Sequence, residues 1–302
     1  LSLDIQILLF LAFLIAFGIK VPMWPVHTWL PDAHVEAPSS GSVILAAVLL
    51  KVGGYGMIRF LLPITPDAGL YLNSFLIPLS LIAIIYISFV ALAQQDMKKL
   101  IAYSSVAHMG FVTLGIFLVF NTIGQAQDVQ DISHIGLQGS VMQMLSHGLI
   151  SAGLFICIGI IYSRTKSRMI DDQSGIGQIM PVFSALMMFF LLSNSGLPGT
   201  SGFVGEFMVL IAAIKNNIIY AILASTTLVL AASYSLWLGK RVLFGEVSSD
   251  IVTSMKPLRL DEFWPLLILA ILVILIGIKP DILLDISEES SLNMIKIITS
   301  KY

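Results

Sequence analysis

Charged residues are scarce in this chain of 302 residues: 11% of them are Asp, Glu, Lys or Arg, and 57% are hydrophobic. A soluble domain contains about 25% charged residues, so this chain has too few polar side chains to cover a surface in water. Its mean hydropathy of +0.94 points the same way. The composition excludes a soluble globular domain and predicts a polytopic membrane protein.

The chain also lacks the residue patterns that bind nucleic acids and most cofactors. Its formal net charge is −2, which gives no basic excess for a phosphate backbone. Cys157 is the single cysteine, and it cannot form an internal disulfide or hold a metal cluster unaided. The sequence contains no glycine-rich nucleotide-binding loop and no Cys-x-x-Cys pair. We therefore expect no cofactor site, no metal site and no nucleic-acid partner.

What the sequence has instead is a series of long apolar runs. A transmembrane helix needs about 20 apolar residues. Eight runs approach or exceed that length, at about residues 3–20, 42–62, 70–93, 100–120, 137–162, 181–214, 218–243 and 263–279. Because a spanning segment must satisfy its own backbone hydrogen bonds, the runs predict an all-α bundle of eight transmembrane helices.

Two of the runs contain residues that interrupt a helix. The first run meets Pro22 and Pro25 just after Lys20, and the sixth contains three glycines and a proline within residues 195–202. At membrane depth, such breaks persist where they are buried in protein or line a wet cavity, as in ion-coupled transporters. For the sixth run, we favour the interpretation that its break lines a cavity. The alternative is that each break simply ends a short helix.

The basic residues are distributed unevenly between the two sides of the predicted bundle. Alternating the loops places nine of them on one side: Lys98, Lys99, Arg164, Lys166, Arg168, Lys240, Arg241, Lys256 and Arg259. The other side holds five: Arg59, Lys215, Lys279, Lys296 and Lys301. The richer side is expected to face the cytoplasm or matrix. The C-terminus would then lie on the opposite side.

Five titratable side chains lie within the runs or at their ends. Lys51, His108 and His147 are near the middle of three runs, Glu206 follows the break in the sixth, and Lys20 closes the first. A charged side chain at the membrane centre costs about 2.5–3.5 kcal/mol, so it normally faces a partner or a wet cavity. Five such groups on five runs predict a row that carries protons, because lysine, histidine and glutamate can all exchange protons there.

Each member of this row also has a plain structural explanation. Lys20 can extend to the membrane surface, and a single histidine can be a neutral core residue bonded to a serine. Three serines are predicted to support the row: Ser104, Ser105 and Ser146. Ser104 and Ser105 share a helical face with His108.

Two polar segments outside the row receive a plainer interpretation. The first is predicted to be a polar loop with helix-capping residues rather than a metal site, and it contains His27, Asp32, His34 and Glu36. The second is predicted to be a solvated acidic loop, and it contains Asp128, Asp131 and His134.

Four motifs resemble signatures of chain 4 of NADH:ubiquinone oxidoreductase, or respiratory complex I. They lie at residues 20–38, 41–56, 96–110 and 196–207, in the order that the family shows. The Val-Glu-Ala-Pro wording at residues 35–38 resembles the mitochondrial and proteobacterial type more than the plastid type. The resemblance covers nearly the whole chain.

The resemblance implies the second half of an antiporter-like fold. Members of the family have fourteen helices with two inverted five-helix repeats, and the eight runs correspond to helices seven to fourteen. Residues 1–62 would end the first repeat, residues 63–243 would form the second, with its broken helix near 195–202, and residues 244–302 would form the last helix and the tail. The first and sixth runs would be the two broken helices.

The resemblance also implies a role for each member of the row. Lys20 corresponds to a lysine that pairs with a glutamate on the fifth helix, and Lys51 corresponds to a connecting lysine. His108 and His147 correspond to central relay groups, and Glu206 to the terminal acidic residue of the second half-channel.

The implied function is proton translocation in the membrane arm of complex I. NADH, flavin, iron–sulfur clusters and ubiquinone would be bound by other subunits, so this chain would belong to an enzyme without holding a redox site. Expected partners are the antiporter-like chains 2 and 5, membrane lipids, and a separate chain that supplies helices one to six. The membrane would be the mitochondrial inner membrane or, alternatively, a bacterial plasma membrane.

Two features leave alternatives open. The chain begins with Leu1 and lacks helices one to six, so we expect either a split subunit or a truncated chain. A subunit of a multisubunit cation/proton antiporter or of a membrane-bound hydrogenase would share the fold, although the motifs around Lys51 and His108 favour complex I. A structural membrane subunit without transport is a further alternative, and it would tolerate Lys51→Ala.

Overall fold

The apolar runs form helices in the computed structural model, which describes residues 1–122, 127–247 and 250–299. The side chains of residues 122 and 127–131 also lie outside the description. Seven of the described helices are long and apolar enough to cross a membrane, and Pro181–Asn194 is a shorter apolar helix. The predicted all-α membrane bundle is confirmed, and the chain is a multi-pass membrane protein.

The helices are labelled in chain order. They are α1 (Leu3–Lys20), α2 (Trp29–Glu36), α3 (Ser39–Ile64), α4 (Pro66–Leu92), α5 (Met97–Leu118), α6 (Gln127–Thr165), α7 (Ile176–Ile179), α8 (Pro181–Asn194), α9 (Ser201–Asn216), α10 (Ile218–Leu243), α11 (Asp250–Thr253), α12 (Leu260–Ile278) and α13 (Asp281–Thr299). Local chemistry sets several of their starts. Asp96 caps α5 by accepting from the amides of Lys98 and Lys99, and proline occupies the first position of α4 and α8.

Both predicted helix breaks occur. α1 ends at Lys20, and the chain turns through residues 21–28 before α2 begins. The sixth run divides into α8 and α9, and the turn between them has positive φ at Gly196 (78°) and Gly199 (88°). A side chain is strained in that backbone conformation, so the two glycines make this turn possible.

The centre of the bundle is α5. The membrane-spanning window of Met97–Asn121 is 94% buried, whereas that of α1 is 17% buried. α5 packs between α4 and α6, and α6 packs in turn against α9. The apolar core contains residues from all three predicted segments, such as Phe10, Phe117 and Ile295. The division at residues 62 and 243 stays a prediction.

The loops of the predicted basic side lie together. Lys98 Nζ donates to the carbonyl oxygens of His34 and Ala37, at 3.1 and 2.8 Å, and Arg168 Nη1 donates to the carbonyl of Val35 at 2.7 Å. Asp96 pairs with Arg168 at 3.4 Å. α2, the start of α5 and the segment after α6 therefore share one end of the bundle, which we call the basic face. Its orientation in the membrane stays a prediction, and Lys301, counted on the other side, lies outside the described residues.

The prediction that these two polar segments are loops is wrong in part. Residues 29–36 form α2, and His34 on this helix is fully buried because α2 packs against α5. α6 begins at Gln127, so His134 lies within a helix and is half-buried. The side chains of Asp128 and Asp131 lie outside the description.

Candidate functional site

Lys51 lies in the middle of α3, between two segments of π-helix. These segments, Leu45–Leu49 and Met57–Leu61, flank the α-helical turns of Leu50–Gly56. A π-helical turn disturbs the regular backbone pairing and occurs frequently at functional sites. The ammonium of Lys51 donates to the carbonyl oxygen of Ala46, inside the first π segment. The side chain therefore runs back along α3 toward the basic face.

The Lys51 ammonium also contacts His147 on α6. Lys51 Nζ and His147 Nδ1 are 2.7 Å apart, a distance over which the ammonium can donate to an unprotonated ring nitrogen. The two residues are 96 positions apart in the sequence. Packing of α6 beside α3 brings them together, and a proton can pass directly between them.

His147 and His108 are the next pair of the row. Their ring centroids are 5.9 Å apart and the ring planes are tilted by 44°. His147 Nε2 is buried and has no hydrogen-bond partner among the described residues. The two rings are neighbours, and no direct hydrogen bond joins them among the described side chains.

The last pair is His108 and Glu206, which are in direct contact. His108 Nδ1 and Glu206 Oε1 are 2.7 Å apart, and each side chain is 4% exposed. Gln143 Nε2 on α6 donates to the same carboxylate oxygen at 3.0 Å. The hydroxyl of Tyr234 on α10 lies 3.2 Å from His108 Nε2. Both histidine nitrogens and the carboxylate are thus held by neighbours from three helices.

Glu206 reaches this position because α9 packs closely against α6. A Cβ atom added at Gly205 would lie 2.6 Å from the backbone nitrogen of Gln143, closer than real Cβ atoms come. Glycine at 205 therefore permits the approach of the two helices. The hydroxyl of Ser146 donates to that of Ser201, at the first residue of α9, at 2.9 Å. The preceding break lets α9 begin at this depth.

A groove on the outer surface leads toward Glu206. It lies between α9 and α10, has a volume of about 330 Å³, and is lined by apolar side chains such as Phe203, Phe207 and Leu210. Glu206 contributes the acidic group of its lining.

The structure unites four of the five predicted members of the row and leaves Lys20 apart. Lys20 is exposed at the end of α1, beside Trp29 and Leu49, and no hydrogen bond or ion pair joins it to a described side chain. Ser104 and Ser105 are buried, and both hydroxyls donate to the carbonyl of Ile101 in their own helix. The Ser104 hydroxyl is also a hydrogen-bond partner of the Tyr234 hydroxyl beside His108, so Ser104 contacts the site through Tyr234. Ser146 contributes by tying α6 to α9.

Two members of this site were missed in the sequence. Gln143 precedes His147 by four residues, so the two share a face of α6, and that spacing is a usable signal. Tyr234 lies between Ser233 and Ser235 in an otherwise apolar run, which is a weaker signal. The π segments of α3 gave no signal, because their sequence is ordinary apolar helix.

A family model described as NADH:quinone oxidoreductase/Mrp antiporter, transmembrane, matches residues 2–231. The chain is 46% identical over 294 residues to NADH-ubiquinone oxidoreductase chain 4 of Chondrus crispus, covering 97% of this chain and 57% of that protein. It is 47% identical over 292 residues to NADH-quinone oxidoreductase subunit M of Rhodobacter capsulatus, covering 97% of this chain and 54% of that protein. The chain thus spans a little over half the length of these relatives.

The fold matches a chain in a solved structure of respiratory complex I from Thermus thermophilus with bound NADH. The TM-score is 0.88 and the identity 30%, over 99% of this chain and 60% of that one. These matches confirm the resemblance to chain 4 that the motifs carry.

Proposed function

This chain belongs to the NADH:quinone oxidoreductase/Mrp antiporter transmembrane family, and we propose that it translocates protons as part of a membrane-bound NADH:quinone oxidoreductase. The observation that carries this proposal is the row Lys51–His147–His108–Glu206, in which Lys51 is half-buried and the other three side chains are buried. Two of its three links are contacts of 2.7 Å between groups that exchange protons. A row of this kind has little structural value by itself, because buried ionisable groups are expensive unless paired.

The geometry supports proton transfer in two segments joined by water. The ammonium of Lys51 can pass a proton to the contacting nitrogen of His147, and His108 can share one with Glu206. Both ring nitrogens of His108 are held, so transfer from His147 requires the contact of His108 with Glu206 or with Tyr234 to open. A water molecule at the unpaired Nε2 of His147 would then bridge the two rings. Gln143 fixes the carboxylate of Glu206 and Tyr234 fixes the ring of His108. The groups that accept protons are therefore oriented before transfer.

Lys20 is proposed to act with a carboxylate outside this chain. Its ammonium is exposed and unpaired among the described side chains, whereas the family pattern gives it a glutamate partner on the fifth helix. A separate chain carrying helices one to six would supply that glutamate, and α1, whose surface is largely uncovered, would pack against it. Antiporter-like chains 2 and 5 are the proposed neighbours in the membrane arm.

The enzymatic role proposed for this chain is transport without redox chemistry. NADH, flavin, iron–sulfur clusters and ubiquinone are assigned to other subunits, whose electron transfer would drive the movement of protons here. The basic face is assigned to the matrix or cytoplasm, and the membrane to the mitochondrial inner membrane or a bacterial plasma membrane.

A second candidate function is cation/proton antiport, because the family model covers Mrp antiporters as well. The two functions differ in their ion. Proton pumping by an oxidoreductase subunit should not depend on sodium, whereas antiport requires a counter-ion. Measuring pumping with sodium replaced by choline separates them.

The main test is Lys51→Ala in the assembled complex. We expect complex content to stay near that of the wild type and NADH-driven proton pumping in vesicles to fall by about tenfold, because the row then loses its first proton carrier. Val52→Ala, one position away and partly exposed, is the matched control. Normal pumping by Lys51→Ala at equal complex content would show that the chain is a scaffold.

A further inference from the structure

His34 is a buried histidine that the row does not include. Its side chain is 0% exposed, and neither ring nitrogen has a hydrogen-bond partner among the described residues. Leaving a buried donor or acceptor unpaired costs about 1–3 kcal/mol, so a polar group in this state needs a reason other than stability. An imidazole can accept a proton at one nitrogen and release it from the other.

The backbone and ring plane of His34 are held firmly while its nitrogens stay free. The ring stacks on Phe155 of α6, with centroids 4.4 Å apart and planes at 12°. The carbonyl oxygen accepts from the Ser42 hydroxyl at 3.1 Å and from Lys98 Nζ at 3.1 Å. These contacts fix the imidazole between α3, α5 and α6 without occupying its proton-exchanging atoms.

The position of His34 links the basic face to Lys51. Ser42 contacts His34, and Ala46, which accepts from the Lys51 ammonium, follows Ser42 by four residues. Four residues of helix correspond to about 6 Å along the axis. The Lys51 side chain therefore extends along α3 toward the level of His34. On the opposite side of His34, Lys98 at the start of α5 lies at the basic face.

The electrostatic surroundings of His34 suit a group that passes protons on. Burial, followed by the charges of Lys98 and Lys51, lowers the pKa of His34 to about 4. The imidazole is therefore neutral at physiological pH and does not retain a proton.

Two ion pairs hold four of the remaining charged groups near His34. On its own helix, Asp32 pairs with Lys99 Nζ at 3.1 Å, and Glu36 lies at the helix end. Arg168, from the segment after α6, donates to the Val35 carbonyl and pairs with Asp96.

We propose that His34 is a proton-transfer residue that carries protons from the basic face to Lys51. The inference rests on the proposed function and extends the row by one member toward the aqueous phase. The path would run from the basic face through His34 to Lys51, His147, His108 and Glu206.

Two variants test the proposal in the assembled complex, in vesicles whose basic face is accessible from the medium. His34→Gln keeps a polar side chain but loses the exchangeable ring proton, and His34→Phe keeps the ring that stacks on Phe155. His27→Gln is the matched control, because His27 lies in the same segment, is 6% exposed and has an unpaired Nδ1. NADH-driven pumping is measured per assembled complex for each variant, and Lys51→Ala is measured in the same experiment for comparison.

We expect both His34 variants to lower pumping by about tenfold and His27→Gln to change it by less than about twofold. Acidifying the medium at the basic face from about pH 8 to about pH 6 should restore part of the rate in His34→Gln, because protonation of Lys51 directly from solvent then follows the proton concentration. The wild type should respond less. If His34→Gln reduces assembly of the complex, the recovery of pumping at low pH, measured per assembled complex, still tests the proposal.

Wild-type pumping in His34→Phe would assign His34 a packing role and overturn the proposal, as would a pH response equal to that of the wild type. The proposed function has a separate outcome. If Lys51→Ala pumps normally, that function fails. If Lys51→Ala loses pumping while His34→Gln keeps it, the His34 inference alone fails.

Discussion

The two helix breaks of this chain place their neighbouring charged residues in opposite situations. The break before α9 is followed by Glu206, whose side chain is 4% exposed and bonded to His108 and Gln143. The break after α1 is preceded by Lys20, which is exposed and has no ion pair to a described side chain. Both look alike in the sequence, as a charge beside prolines or glycines.

The difference comes from what packs around each break. α9 is enclosed by α6 and α10, whereas α1 contacts mainly α3 and α4 and leaves most of its surface open. A break therefore makes an internal site where other helices cover it. At the first break, the buried titratable groups are His27 in the turn and His34, fourteen residues beyond Lys20, on α2, which packs against α5.

The largest effect is expected at the covered break. Glu206→Gln keeps the size of the side chain but removes its exchangeable proton, so pumping should fall by about tenfold or more. Glu206→Asp keeps the carboxyl and withdraws it by one methylene, so part of the activity should remain. Pumping of both variants is compared in vesicles at matched complex content. Gln equal to or better than Asp would show that Glu206 is not a proton carrier.

A smaller loss of pumping is expected from Tyr234→Phe, which removes the hydroxyl beside His108 Nε2. A hydrogen bond of this kind contributes about 0.5–1.5 kcal/mol, so pumping should fall by about threefold as the ring of His108 loses its orientation. Tyr220→Phe, on the same helix and outside the row, is the control. An unchanged rate of pumping in Tyr234→Phe would show that Tyr234 is not part of the site formed by His108, Gln143 and Glu206.

The close approach of α9 to α6 is tested by Gly205→Ala. The added Cβ would meet the backbone of Gln143 at 2.6 Å, so the helices must separate, at a cost of about 1–3 kcal/mol. Gly18→Ala in α1 is the control, because its Cβ would meet Met23 at 3.8 Å, an ordinary contact. Thermal unfolding of the detergent-solubilised complex measures both. Equal stability of the two variants would contradict the tight packing at the second break.

The smallest effect on stability is expected at the open break. Lys20→Met replaces a side chain that no described residue pairs with, so the free energy of unfolding of this chain, purified without its partners, should change by less than about 0.5 kcal/mol. Thermal unfolding measures this change, and the same measurement is repeated on the assembled complex. There the loss should be larger, because a carboxylate outside this chain is proposed to pair with Lys20, and an equally small loss in both samples would contradict that pairing.

Much of this site was predictable because the rules that locate it are local. Apolar length located the spans, and proline and glycine marked both breaks. The depth of Lys51, His108, His147 and Glu206 followed from counting residues along each run. The exclusion of Lys20, the contributions of Gln143 and Tyr234, and the burial of His34 were not predictable, because each depends on which helix lies opposite.

The amino-acid sequence by itself determined that this protein lies in a membrane, where the membrane-spanning helices run and break, and which ionisable groups enter the apolar layer. These properties depend on transferring side chains from water and on the backbone limits of proline and glycine, which act within a few residues. The tertiary structure alone decided which groups touch. The contacts from Lys51 to His147 and from His108 to Glu206 join positions 96 and 98 residues apart, and a hydrogen bond forms only when packing brings such atoms within about 3 Å.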